Sequence, residues 1–315
     1  MQEIFLGEYI KSQRLELGLT QEQLCEGICE PITLSRLENG KQTPSRNRIN
    51  ALLQRLGLPD DRYFALLSQN EMDINALQEE IRMDTIRYHR AGDHERPQIR
   101  EAALEKMAKL EAIAEKDDRI TQQYILSCKA SIGTPDGPYT HTEAREILLK
   151  AIRMTVPRFD LEEINSGLYS LGETQLINQI AIAYVMGGDR KKAIDIYRQL
   201  LKYVQKHYKE LSRYAGRLSL VAHNYARELL LDKRYDEALE MAELGRRTCV
   251  EYGHYQSLPG LLDLIGSCHY FTGDLEKCKE YYLCAYFLYK ATGNVHDRLL
   301  LEKVAKERIG LDFSF

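Results

Sequence analysis

The sequence predicts an all-α protein in two parts. A five-helix helix-turn-helix domain occupies residues 1–68, and an α-solenoid of about five helical hairpins occupies residues 69–315. Three observations lead there. Residues 19–45, LTQEQLCEGICEPITLSRLENGKQTPS, read as two short helices set at an angle by a turn. Beyond residue 69 the apolar spacing is helical throughout, with no run alternating at the period of two that a strand requires. The later helical segments come in pairs, with small residues at matched places and Gly/Asp turns between them.

In chain order, Ile4 to Leu17 forms an amphipathic first helix with Ile4, Leu6, Tyr9, Ile10 and Leu17 as its core positions. Thr20 is placed to accept from an orphan amide, and Gln23, three residues on, completes a capping box. Leu24 and Ile28 supply the buried stripe of the second helix, Cys29 and Glu30 the turn, and Pro31 the first position of the third helix. Leu34 and Leu37 then face inward, which leaves Ile32, Thr33 and Arg36 outside, and Asn39-Gly40 ends the helix. Ser45 caps a fourth helix that buries Ile49, Leu52, Leu53 and Leu56. Pro59-Asp60 opens a fifth with Tyr63, Phe64 and Leu67, and the polar SQNEMD that follows is read as a hinge.

A chain of 315 residues, 44% hydrophobic and 29% charged, is an ordinary soluble globular composition. The net charge of −4 excludes a chain-wide nucleic-acid footprint. Positive charge is local instead: between Pro31 and Leu58 stand Arg36, Lys41, Arg46, Arg48 and Arg55 against Glu38 alone. A short helix with Thr and Arg outward fits a major groove, where Arg can bond guanine O6 and N7. The expected DNA surface is Thr33 and Arg36 on base edges, Gln21, Lys41 and Ser45 on phosphates, with Ile32 and Arg46 beside them.

The order Arg14, GLTQ, a small turn, LSRLENGK and Pro-Ser resembles the lambda/434-repressor (XRE) class of DNA-binding domain. That resemblance implies a structural ion pair between Arg14 and Glu38, and contacts to phosphate and base edges from Gln21. The turn around Gly27-Ile28-Cys29 is a residue shorter than in the phage repressors. In this respect LCEGICEPITLSRLENG is similar to the start of the Rgg/PlcR/PrgX/NprR (RRNPP) peptide receptors.

In the second part, small residues recur twelve apart on successive helices: Ala181 with Ala193, Ala226 with Ala238, Gly266 with Cys278. The turns GGDRKK, LDKRYDE and TGDLEK fall between them, and Tyr197, Ala242 and Tyr282 follow the second small residue by four. Small residues at matched heights let helices approach closely. The pattern resembles the tetratricopeptide repeat with longer helices. Two weaker hairpins precede it, Ile74–Ala91 with Ile99–Ala114 and Ile120–Ile132 with Thr142–Thr155. A helix from His296 to Arg308 caps the stack, and the apolar tail Leu311–Phe315 is expected to pack on the last hairpin or on a second subunit.

The inner wall of a solenoid is lined by the first helix of each pair. The candidate ligand residues there are Asn178, Gln179, Tyr184, His223, Asn224, Arg227, Asp263, Ser267 and Tyr270, with Leu264 beside Asp263. Asn carries a donor and an acceptor, so Asn178 and Asn224 can hold an extended peptide backbone whatever its sequence. An Asn at a helix seam can equally bond a neighbouring helix.

A helix-turn-helix followed by such hairpins has the layout of the RRNPP receptors. The resemblance implies a cytoplasmic, homodimeric transcription regulator, with a two-fold symmetric operator in double-stranded DNA and a short signalling peptide in its groove, as in quorum sensing. The alternative is a regulator whose repeats bind a protein partner. No phosphate loop, HExxH or GxSxG occurs, so no enzyme activity and no cofactor are expected. Asp60-Asp61 and Asp117-Asp118 read as helix-start charges. The histidines show no metal spacing, and the Cys25/Cys29 pair lacks further ligands nearby, so no metal is expected and buried thiols are. With no signal peptide and no long apolar run, no membrane contact is expected.

Overall fold

The structure, a computed structural model, describes residues 6–58, 69–134, 137–207 and 211–313. No strand occurs among the described residues. The chain divides into two compact units, Met1–Asp189 and Arg190–Phe315.

The first unit opens with α1 (Leu6–Glu16), α2 (Gln21–Cys25), α3 (Pro31–Glu38) and α4 (Arg46–Arg55). Their shared core is Ile10, Leu24, Leu34, Leu37, Ile49, Leu52, Leu53 and Leu56. Thr20 and Gln23 form the expected capping box on α2. Pro31 starts α3, and Gly40 (φ 67) follows its end in the left-handed conformation that glycine takes without strain. Four expectations shift. α1 ends at Glu16, so Leu17 lies beyond it and is 39% exposed. α2 ends at Cys25, so Ile28 is buried from the turn rather than from the helix, and Gly27 (φ 72) supplies the reversal. Ser45 stands at the N-cap of α4, but its side chain makes no cap hydrogen bond. The stretch read as a hinge is helical from Gln69 onward. Ile4 and the fifth helix around Tyr63, Phe64 and Leu67 lie outside the described residues, as do Asp60-Asp61 and Phe315.

The unit continues with α5 (Gln69–Arg90), α6 (Arg96–Ile113), α7 (Arg119–Ile132), α8 (His141–Thr155) and α9 (Leu171–Met186). α5 with α6 and α7 with α8 are the two early hairpins. Asp118 caps α7 through its side chain, while Thr140 with Glu143 and Ser170 with Glu173 form capping boxes on α8 and α9.

The second unit holds α10 (Arg190–His207), α11 (Leu211–Leu231), α12 (Tyr235–Tyr252), α13 (Leu258–Thr272), α14 (Leu275–Ala291) and α15 (Val295–Ile309). The matched small residues do what their spacing predicts. Ala226 and Ala238 are fully buried on α11 and α12. At Gly266 a Cβ would sit 2.6 Å from the Tyr282 ring, so α13 and α14 touch only because that atom is missing. The turn between α13 and α14 uses Gly273 at φ 88, whereas the turn between α11 and α12 places Lys233 at φ 63, a conformation that disfavours a side chain. Ala181 and Ala193 are both fully buried, one in each unit. At the end of the chain Phe313 stacks on Tyr286, with ring centroids 4.3 Å apart, so the described part of the tail packs on the last hairpin and α15.

Candidate functional site

α3 is amphipathic at right angles to its use. Leu34 and Leu37 are buried, while Ile32 is 59% exposed, Arg36 is exposed and Thr33 is half-buried. The helix is oriented by charge as well as packing. Arg14 donates from Nε to Glu38 Oε1 (2.6 Å), from Nη2 to Glu38 Oε2 (2.9 Å) and from Nη1 to the Leu19 carbonyl (2.7 Å). The Arg14 and Glu38 side chains are 8% and 0% exposed, and the bidentate bond to Glu38 raises the Arg14 pKa. Gln21 is drawn into the same cluster: its amide donates to Glu38 Oε2 at 2.7 Å. Sequence reasoning placed Gln21 on DNA without foreseeing this bond. Lys41 is exposed, and Ser45 and Arg46 are half-buried where α4 begins.

A second buried arginine fixes the same motif from behind. Arg55, in the last turn of α4, donates to the carbonyls of Leu24 (3.1 Å) and Glu26 (2.7 Å) at the end of α2. Its other amine donates to the Thr155 carbonyl at the end of α8 (3.0 Å) and to Glu173 Oε1 on α9 (2.9 Å). Both side chains of the Arg55–Glu173 pair are 2% exposed. The second oxygen of Glu173 accepts the Ser170 amide at 2.6 Å, so one carboxylate both caps α9 and pairs with Arg55. Gln54 accepts the Leu171 amide at 3.0 Å. Gly27 rests on the backbone of Thr155, where any Cβ would collide. Sequence reasoning counted Arg55 in the positive patch, because its partner carboxylate Glu173, 118 residues away, leaves no local signal.

The ligand residues fall in both units. In the first, Asn178 is 2% exposed, Gln179 accepts from the Ser127 hydroxyl (2.5 Å), and Tyr184 lies 4.9 Å beneath the Arg145 guanidinium. In the second, His223 Nδ1 lies 3.3 Å from Asn224 Oδ1, and Asn224 is 6% exposed. Burial lowers the His223 pKa, which keeps the ring neutral near pH 7. Its other face meets α13 at Gly260, where a Cβ would come within 2.6 Å of Nε2. Arg227 and Arg190 both donate to the fully buried Glu228, at 3.0 and 3.1 Å. Asp263, on the same side of α13, has its pKa pushed up to about 6 by burial against the opposing pull of Arg308.

Arg308, on the capping helix, is the residue that sequence reasoning missed. Its Nη1 donates to Ser267 Oγ (2.8 Å) and to Tyr282 OH (2.7 Å), and its guanidinium lies 5.2 and 5.0 Å from the Tyr270 and Phe271 ring centroids. One edge of the fork is thus anchored, and Nε and Nη2 make no hydrogen bond among the described residues. A guanidinium held against two aromatic rings with Nε and Nη2 unused is prepared for a planar acceptor such as a carboxylate. Ser267, by contrast, is 5% exposed and committed to Tyr282 and Arg308. Asp263, Ser267 and Tyr270 therefore gather around Arg308 and Tyr282, while His223 and Asn224 stand on α11, with the His223 ring against α13 at Gly260. No group of three or more His, Cys, Asp or Glu side chains that could hold a metal ion occurs among the described residues. No described helix is long and apolar enough to cross a membrane.

Residues 6–63 match the model of a helix-turn-helix domain, and residues 153–307 match the model of the RNPP family C-terminal domain. No curated protein matches the chain. Among solved structures, Bacillus thuringiensis PlcR in complex with the peptide PapR7 and DNA is similar at 21% identity and a TM-score of 0.57, over 94% of this chain and 98% of that one. The apo form of the same protein gives 20% identity and 0.57, over 94% and 97%. The apo competence regulator ComR from Streptococcus vestibularis gives 17% and 0.48, over 97% of each chain.

Proposed function

This chain is a helix-turn-helix protein of the RNPP type, and from that premise we propose that it is a DNA-binding transcription regulator controlled by a short signalling peptide. The observation that carries the DNA half is α3. Its buried face is fixed by Leu34, Leu37 and the Arg14–Glu38 pair, so Ile32, Thr33 and Arg36 are presented outward on a rigid helix. Arg36 reads a base edge, Thr33 and Ile32 flank it, and Lys41, Ser45 and Arg46 meet phosphates. Gln21 reaches the backbone only from its bond to Glu38, which makes it a positioning residue as much as a contact. Two copies of the chain present two such helices to a two-fold symmetric duplex.

The peptide half rests on the polar residues of the second unit. His223, Asn224 and Tyr270 supply donors and acceptors for an extended backbone, with Arg227 and Asp263 at its margins, and the free edge of Arg308 takes a carboxylate of the ligand. In the first unit, taken by itself, Asn178, Gln179 and Tyr184 on α9 are separate candidates for a ligand contact. Because α9 is tied through Glu173 to Arg55, and Arg55 to the end of α2, a ligand that moves α9 also moves the seat of α3. Selection of duplexes from a random-sequence pool by the full-length protein tests this reading. A two-fold symmetric consensus is expected, and Arg36→Ala enriches it poorly. A pool that stays random under the wild type overturns the proposal.

A further inference from the structure

The Cys25/Cys29 pair plays no part in the function above. Cys25 closes α2 and is 1% exposed, while Cys29, half-buried, precedes α3. The Cys29 amide donates to the Cys25 carbonyl at 3.1 Å, which closes one helical turn between the two residues, and the Cys25 thiol donates to the Glu22 carbonyl at 3.8 Å. A turn closed from residue i to i+4 holds its Cα atoms about 6 Å apart, within the range a disulfide spans. Between them stand Glu26, Gly27 (φ 72) and the buried Ile28, and the non-helical backbone at Glu26 and Gly27 is able to give where a regular helix is not.

The geometry points to a reversible oxidation site: Cys25 and Cys29 are a dithiol that hydroperoxides convert to a disulfide in the turn leading into α3. The two thiols are unequal in the way such a pair requires. The adjacent Cys25 thiol, followed by the nearby Arg48 and Arg55 charges, lowers the Cys29 pKa, whereas the adjacent Cys29 thiol and burial raise that of Cys25. Cys29 is also the more accessible. Its thiolate attacks the outer peroxide oxygen, the O–O bond breaks, and the leaving alkoxide or hydroxide takes up a proton, which gives Cys29 sulfenic acid. The Cys25 sulfur then attacks the Cys29 sulfur, the S–O bond breaks, and the Cys25 proton leaves with the hydroxyl as water.

The bond has a structural consequence. Side chains four apart on a helical turn lie about 5–6 Å apart at Cβ, and a disulfide draws them to about 4 Å. The displacement falls on Glu26 and Gly27. Glu26 gives its carbonyl to Arg55, and Gly27 rests on Thr155, so oxidation strains the seat of the motif.

The full-length protein is treated with hydrogen peroxide, alkylated with N-ethylmaleimide and digested with trypsin. Both cysteines lie on one tryptic peptide, residues 15–36. That peptide is expected to lose two hydrogens and take no maleimide, and dithiothreitol before alkylation restores both sites. In Cys25→Ser, Cys29 is expected to stop at a sulfenic acid that dimedone traps, and Cys29→Ser should leave Cys25 unreacted. Full alkylation of the wild-type peptide after peroxide overturns the inference. So does a Cys29 that proceeds to sulfinic acid without bonding Cys25, or a Cys25 that reacts equally well in Cys29→Ser.

Discussion

The two units bury charge in opposite ways. In the first, Arg14–Glu38 and Arg55–Glu173 are both closed to solvent, and each guanidinium is shared among a carboxylate and backbone carbonyls. In the second, Arg308 is half-exposed, anchored by one amine on two hydroxyls and open along the rest of its edge, beside an aspartate whose pKa burial pushes up to about 6. A closed ion pair fixes a position and offers a ligand no open edge, even though the buried Arg55 Nε has no partner among the described residues. An anchored but unsaturated one keeps binding capacity at some cost in stability. The contrast separates a region built to hold a helix at a set angle from a region built to accept something.

The sharpest way to break this contrast is at Arg55. Arg55→Ala strands Glu173 in a dry site and releases the Leu24, Glu26 and Thr155 carbonyls, which is expected to cost about 3–5 kcal/mol in thermal or denaturant unfolding. Glu173→Ala is expected to cost as much, because it strands Arg55 and uncaps α9 as well. A change under about 1 kcal/mol in both would mean the pair is solvated.

Gly27→Ala comes next. It forces a side chain into the left-handed region, about 1–2 kcal/mol, and adds the collision with Thr155, about 1–3 kcal/mol. Hydrogen exchange at the end of α8 should rise with it. If α8 keeps its protection, the Gly27 contact does not seat the motif.

In the second unit, Arg308→Ala is expected to weaken the cognate peptide by about 1–3 kcal/mol in calorimetry while barely moving the melting temperature, since Ser267 and Tyr282 still bond each other. Equal peptide affinity would remove Arg308 from the site.

Much of this was legible in the sequence, for reasons that differ by residue. Local features were readable because their causes are local: the Thr20/Gln23 capping box, Pro31 at the start of α3, and the Leu34/Leu37 stripe. The Gly266/Cys278 match was readable because close helix packing constrains side-chain size at a fixed offset. Arg14–Glu38 followed from resemblance. Arg55 and Arg308 were not readable in their roles, since Glu173 and Ser267 lie far from them in the chain and an arginine in a last turn has an ordinary reading as a dipole partner. Asn178 and Asn224, expected on the wall of a groove, are more buried than an open groove implies, as an asparagine at a helix seam is.

Asp263 sharpens the contrast through pH. Its carboxyl titrates near 6 when folded against an ordinary 3.8, so the folded protein holds a proton that the unfolded chain gives up. That stabilisation is present below about pH 4 and is lost as pH rises through 6. Asp263→Asn is therefore expected to raise the melting temperature at pH 7–8 and to leave it unchanged near pH 4. A variant equally destabilised at both would place Asp263 in a structural bond instead.

The central claim is that α3, held by the buried pairs of the first unit, reads base edges through Arg36. Its most direct test is the affinity of the wild type and Arg36→Ala for the selected duplex and for duplexes with single base changes, at several salt concentrations. Arg36→Ala is expected to lose about 1–3 kcal/mol on the selected duplex and to discriminate less at one position of each half-site, with its salt slope lowered by no more than about one. Arg36→Ala binding every duplex as the wild type does would contradict the account.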